Sequence, residues 1–276
     1  MKTILKNKFI VIGGGIILVI ALISVFAPLL TDYDYGKVDL PNKHLPPSLT
    51  HLMGTDLYGR DVWCRVAYGG RISLTVAIGA MAVALVCGTL IGTFAGFVRG
   101  WAGFVLDRIN DVMMAFPMLL LALIIGVVLG PSLNTMFFSI GIPCIPMFYR
   151  VARATTMSIS ERSYVLAARS MGSRRWRIIF RHVIPNVLPH ILVIMSSAMG
   201  GAILAESSLG FLGFGIPQPT PSWGLIVNEG KTFMFTYPWT TAFSGAIIAL
   251  TILGFNLLGD GLRDHMDPKI RNSPGR

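Results

Sequence analysis

The sequence predicts an all-α membrane protein with six transmembrane helices, and three observations carry that prediction. Only 13% of its 276 residues are charged, where a soluble domain carries roughly 25%. Five long stretches contain no Asp, Glu, Lys or Arg: 9–31, 72–98, 112–149, 182–205 and 232–259. Basic residues collect on alternate sides of those stretches, as the positive-inside rule requires. The net charge of +10 therefore reads as a topology signal, and no nucleic-acid partner is needed to explain it.

The elements follow in order. The run 9–31 comes after Lys2, Lys6 and Lys8 and is 23 residues long, beyond the roughly 7–15 residues of a signal-peptide core. Its best small-residue cleavage site, Val25-Phe26-Ala27, is followed by Pro28. Residues 1–31 are thus expected to form an uncleaved anchor helix. Residues 32–71 form an extracytoplasmic segment rich in Pro, Asp and Gly. It exceeds the ~12–15 residues above which loops are usually functional or disordered. Its cluster Gly54-Thr55-Asp56 with Gly59-Arg60-Asp61 suits turns and ion pairs, so ordered loop with short helical pieces is expected.

Residues 72–262 form the transmembrane core. In the span 72–98, Ala80, Ala84, Gly88, Gly92, Gly96 and Gly100 recur at every fourth position. That stripe of small residues lets helix backbones approach closely, within this subunit or against another. Crossing hydrocarbon takes about 20 apolar residues, so 112–149 holds two passes with Gly130-Pro131-Ser132 as the turn. The charge-free stretch 207–228 is interrupted by Pro217, Pro219 and Pro221 and by four glycines, and is not counted as a span. Spans 182–205 and 232–259 complete the six, and 263–276 is a tail.

Six alternating passes place the N-terminus, 99–108, 150–181 and the tail in the cytoplasm. Seventeen of the 23 Lys and Arg residues then lie on the cytoplasmic side. Outside, 32–71 balances five basic residues with five aspartates, and the loop 206–231 has only Lys231. The expected location is the cytoplasmic membrane, with both termini cytoplasmic.

No catalytic constellation is present in the sequence. Cys64, Cys87 and Cys144 show no CxxC spacing, and the five histidines offer no i, i+4 pair, so neither a disulfide framework nor a metal site is expected. Gly224 and Gly230-Lys231-Thr232 are separated by five residues where a phosphate-binding loop needs four. Gly210, Gly213 and Gly215 suit a turn at the membrane surface. A non-enzymatic subunit without its own cofactor is the resulting expectation.

The informative stretch is the loop 158–185. Ser160 is expected to cap a short helix that Gly172 stops, and Ser173 to cap a second piece running to Pro185. On the first helix Ser163, Leu166, Ala167 and Ser170 share a narrow, mostly small face. Such a face fits a groove in another protein or a bed of lipid headgroups.

Leu166-Ala167-Ala168, three residues, Gly172, nine residues and then His182-Val183-Ile184-Pro185 resembles the EAA loop of ABC importer permeases. The spacing matches in full, while Leu166, His182 and Ile184 stand where the usual pattern has Glu, Ile and Leu. The run Tyr164 to Arg169 is similar to the peptide and nickel group of that family. Further matches are the 54–61 cluster, Arg71-Ile72-Ser73-Leu74, Asp111 with Phe116-Pro117, and Glu206-Ser207-Ser208-Leu209-Gly210-Phe211-Leu212-Gly213. Pro221-Ser222-Trp223-Gly224, Asn256-Leu257-Leu258-Gly259-Asp260 and Leu262-Arg263-Asp264 complete a set similar to the second, C-type permease of such systems.

The resemblance implies a type I ABC importer permease fold with a cytoplasmic coupling helix. It implies a homologous second permease, two cytoplasmic ATPases that bind ATP and Mg, and an extracytoplasmic solute-binding protein as partners. Short peptides are the implied substrate, with nickel or metal chelates as the alternative. Ser163, Tyr164, Leu166, Ala167, Ala168, Arg169, Gly172 and Pro185 become coupling residues; Glu206, Ser207 and Asp111 become pathway or gate candidates. A stand-alone channel or proton-coupled carrier would need Asp111, Glu206 and Asp260 as a relay at depth, but they fall at the ends of the expected spans.

Overall fold

The computed structural model describes residues 7–98 and 100–266, and among them the secondary structure is helical apart from an isolated bridge between Thr55 and Asp61. The helices are α1 (Lys8–Val25), α2 (Ala27–Leu30), α3 (Val62–Val98), α4 (Trp101–Ala115), α5 (Met118–Leu129), α6 (Leu133–Ser160), α7 (Ser163–Ser170), α8 (Arg175–Ile178), α9 (Ile184–Phe211), α10 (Trp223–Gly230) and α11 (Trp239–Met266). Four of these, α1, α3, α6 and α11, are by themselves long and apolar enough to cross a membrane. A fifth run, Arg175–Phe211, joins α8 and α9 through a single π turn at Ile179–Val183. The pair α4 and α5, bent by 94°, is long and apolar enough only when taken together, and is the sixth candidate crossing.

The bend follows from Phe116-Pro117. The residue before a proline is driven out of the helical region, and Phe116 is extended, with φ of −90° and ψ of 136°. The turn expected at Gly130-Pro131-Ser132 is present: Gly130 ends α5 with φ of +78°, and the Ser132 hydroxyl caps α6 by accepting the Thr135 amide at 3.1 Å.

Several boundaries differ from those expected. Helix α3 begins at Val62 instead of 72, because the charges that seemed to bar it are neutralised. Arg65 lies against Asp56 and Glu229, and Arg71 donates to the carbonyls of Ser24 and Val25 at the end of α1. Helix α9 continues to Phe211, past the buried Glu206, and α11 starts at Trp239 after a 3₁₀ turn over Lys231–Phe233. Of the tail 263–276, only the end of α11 lies within the described residues.

The small-residue stripe is the seam between α3 and α6. A Cβ on Gly88 would meet Phe148 at 2.6 Å, one on Gly96 would meet the Arg153 carbonyl at 2.6 Å, and one on Gly141 would meet the Ala80 carbonyl at 2.7 Å. Gly100 leaves the stripe, since it precedes α4 with φ of +78°. A second close contact joins α1 to α11, where a Cβ on Gly13 would meet the Gly254 carbonyl at 2.6 Å. The main buried cluster runs through α3, α6 and α9, including Met81, Phe148, Ile191 and Ile203.

Candidate functional site

Functional side chains gather at the two ends of α3. At its N-terminal end the segment 32–61 folds onto α3, α10 and α11. Gly54 and Gly59 have φ of +73° and +75°, a region that side chains with a Cβ rarely enter; at Gly59 the Asp39 carbonyl would also collide with one. Thr55 Oγ1 accepts the Leu45 amide and donates to the Asn42 carbonyl at 2.6 Å, while Trp239 Nε1 donates to the Thr55 carbonyl at 3.0 Å.

Between these turns lies a buried ionic knot. Asp56 Oδ2 accepts from Arg60 Nε at 2.8 Å and from Arg65 Nη1 at 2.7 Å. Glu229, at the end of α10, accepts from Arg60 Nη2 at 2.8 Å, from Arg65 Nη1 and from Gln218 Nε2 at 2.7 Å. Asp61 accepts the Cys64 amide at 2.7 Å in the first turn of α3 and contacts His51 Nδ1 at 2.9 Å. Thr55, Asp56, Arg60 and Asp61 are all at least 96% buried, so the expected ion pairing is present and lies inside the fold. The sequence reading missed Arg65 and Glu229.

His44 closes the same region. Its ring stacks on Tyr237 with centroids 4.1 Å apart and lies 4.8 Å from Phe233. Burial, with Lys43 beside it, lowers the imidazole below its ordinary pKa, and Asp56 opposes that shift.

At the other end of α3, helix α7 has the expected stop: Gly172 follows it with φ of +76°. The caps differ. Ser160 is the last residue of α6 and Arg162 is the N-cap of α7; Arg174, not Ser173, is the N-cap of α8. Ser163, Tyr164, Leu166, Ala167, Arg169, Ser170, Gly172 and Pro185 are exposed. Ala168 is not: with Val165 it is buried against its own chain, because it lies on the face of α7 opposite Leu166. The helix is tied to α3 by the Arg169 guanidinium over the Phe97 ring at 5.1 Å, and α8 by Trp176 stacked on Phe94 at 6.1 Å.

The pathway candidates separate. Asp111 is 45% exposed on the α4 arm, 3.3 Å from Arg108 and 3.8 Å from Arg150; the 94° bend sets that arm apart from α5. Beside it Asp107 accepts from Arg153 at 2.7 Å and from the Tyr149 hydroxyl at 2.7 Å. Glu206 is 1% exposed within α9. It accepts from Ser207 at 3.3 Å and has no ion-pair partner among the described residues. The span end expected at 205 is thereby corrected: Glu206 lies inside α9, and α10 packs over this end of the helix.

Residues 88–272 match the family described as "Binding-protein-dependent transport system inner membrane component". Residues 1–47 match the N-terminal transmembrane domain of oligopeptide transport permease C. The dipeptide transport system permease protein of Alkalihalophilus pseudofirmus is 42% identical over 271 residues, which span 98% of this chain and 89% of that one. The oligopeptide transport system permease protein of Bacillus subtilis is 37% identical over 266 residues, spanning 96% and 87%. Among solved structures, the inward-facing MetNI methionine ABC transporter aligns with a TM-score of 0.59 at 14% identity, over 74% of this chain and 97% of that one. That last likeness establishes the fold.

Proposed function

The chain belongs to the family of binding-protein-dependent transport system inner membrane components, and from that premise we propose that it is the C-type permease subunit of an ATP-driven importer of short peptides. In this reading it pairs with a homologous second permease, two cytoplasmic ATPases that bind ATP and Mg, and an extracytoplasmic solute-binding protein. Both termini and the α7–α8 end lie in the cytoplasm; residues 32–61 and α10 lie outside.

The observation that carries the reading is α7. An eight-residue helix standing between two spans, with Tyr164 and Leu166 exposed by 40% and 47%, offers an apolar handle to another protein. Its inner face is buried through Val165 and Ala168, and the Arg169–Phe97 contact joins it to the end of α3. A push on α7 therefore reaches α3, which at 37 residues extends ~55 Å at ~1.5 Å per residue. Closure of the ATPases would rock the permease between inward-open and outward-open states, the alternating access expected of such transporters.

Bulk on the exposed face tests this. Ala167→Trp, which fills the docking face, and Gly172→Leu, which is strained at positive φ, should abolish uptake of a labelled dipeptide by the assembled transporter. Both should also remove stimulation of its ATPase by loaded binding protein, at normal abundance in the membrane. Uptake at the parent rate from Ala167→Trp would refute the docking role.

A further inference from the structure

Glu206 is an acid sealed inside the protein without a cation beside it among the described residues. A buried carboxylate in that position needs other donors, and serine hydroxyls surround it. Ser207 donates at 3.3 Å, and the side chains of Ser73, from α3, and Ser222 face the carboxylate.

A serine hydroxyl has one proton to give and lone pairs that accept. Ser73 Oγ accepts the Trp223 amide at 3.2 Å, and Ser222 Oγ, the N-cap of α10, accepts the Leu225 amide at 3.4 Å. Both amides belong to the first turn of α10, whose N–H groups have no partner within the helix. Ser73 and Ser222 thus stand between the first amides of α10 and Glu206. The partial positive charge of the α10 N-terminus stands where a counter-ion would.

The remainder of α10 is held as closely. Trp223 Nε1 donates to the Val66 carbonyl of α3 at 3.0 Å, Gly224 packs on the Ser207 backbone of α9, and Asn228 Nδ2 donates to the Phe211 carbonyl. At the far end Glu229 enters the ionic knot with Arg60 and Arg65. Both ends and one side of an eight-residue helix are therefore fixed to α3 and α9.

We propose that α10 is a rigid strut that travels with α3 and α9 through the transport cycle, and that Glu206 is the positioning residue fixing its N-terminus, not a group that touches substrate. The proposal rests on the importer reading and deepens it: the part that opens to the outside is then not α10.

A cysteine pair tests it in the full chain assembled with its partners. An ideal Cβ on Gly69 lies 3.5 Å from Ile226 Cδ1, which sets Gly69→Cys and Ile226→Cys side by side as a staple of α10 to α3, with Cys64, Cys87 and Cys144 replaced by serine or alanine and closure followed as loss of free thiol. Oxidised protein should import a labelled dipeptide within about twofold of the same protein reduced, and loss of uptake on oxidation would overturn the strut. Glu206→Ala removes the charge that these serines face, worth a loss of about tenfold in uptake, and oxidation of the staple in that background should restore it. Failure of a formed staple to restore uptake would show that Glu206 does something other than hold α10.

A measurement independent of transport separates the strut from the importer reading. Amide hydrogen exchange over 223–230 should accelerate at least tenfold in Glu206→Ala while that over 163–170 stays at the parent rate. Unchanged exchange over 223–230 would overturn the strut whatever the chain transports.

Discussion

Arg65 decides how the N-terminal end of α3 is built. A guanidinium fully buried near the start of a spanning helix is tolerable only because Asp56 and Glu229 both accept from its Nη1. The cost of such a group shows when one partner is removed, typically ~3–5 kcal/mol. Arg65→Met should therefore lower the unfolding temperature of the purified permease markedly, since it leaves two buried carboxylates to share Arg60. Arg65→Met with Glu229→Gln, which removes one charge of each sign, should recover part of that loss; a thermal-melt cycle over the four proteins measures the coupling. Additive effects would show that the two residues act independently. Asp56, Arg60 and Asp61 were legible in the sequence because they crowd into one short turn-forming cluster with glycines on both sides. Arg65 and Glu229 were not: they lie 164 positions apart, and an isolated charge beside an apolar run reads as the edge of the membrane. Ala168 illustrates a narrower limit. The motif marks it for docking together with Ala167, yet neighbouring positions on a helix point about 100° apart, and that step carries Ala168 to the buried side with Val165.

The helix pair α3 and α6 shows what element-scale reading can reach. Every-fourth spacing of small residues specifies a face for close approach, and the structure supplies the partner: a Cβ on Gly92 would collide with the Tyr149 carbonyl and lie 3.0 Å from the Ala152 methyl. Lipid gives no hydrophobic drive to such a pair, so its stability comes from backbone proximity and van der Waals packing. Gly92→Leu should separate the helices at that level and reduce the folded permease in the membrane by several-fold, since overpacking costs ~1–3 kcal/mol or more. Gly126→Leu is the contrast, because an added Cβ there reaches only the Ser139 hydroxyl at 3.4 Å; equal loss from both substitutions would count against a specific seam. The candidate crossings were legible because a hydrophobic run needs no knowledge of its neighbours. The break between α4 and α5 was not, although Phe116-Pro117 was in view: a proline within a span can kink, end or leave a helix, and the surroundings choose. The start of α3 escaped for a related reason, since charges at 65 and 71 look terminal until their partners are known.

At the scale of the whole molecule the proposed sidedness rests on the distribution of Lys and Arg. Loops that carry the basic excess stay in the cytoplasm because translocating them against the membrane potential is unfavourable. The structure adds a geometric constraint. Residues 32–61 meet the N-terminal end of α3 and α7 meets its C-terminal end, a full span away, so fixing one side fixes both. Leu49 and Met171 are exposed by 98% and 79% at these two ends and make suitable reporters. Cys64 and Cys144 are buried and Cys87 is partly so, which makes replacement of Cys87 by serine sufficient to lower the background. With Leu49→Cys, an impermeant thiol reagent added to intact cells should label the permease at once. With Met171→Cys it should label only after the membrane is opened. Labelling of Met171→Cys in intact cells, with Leu49→Cys protected, would invert the topology. It would place α7 where no ATPase could reach it, and the coupling role would then be lost together with the cytoplasmic termini. That dependence makes the labelling pattern a stricter test of function than uptake alone: a transporter can fail for many reasons, but α7 can couple to ATP hydrolysis from only one side of the membrane.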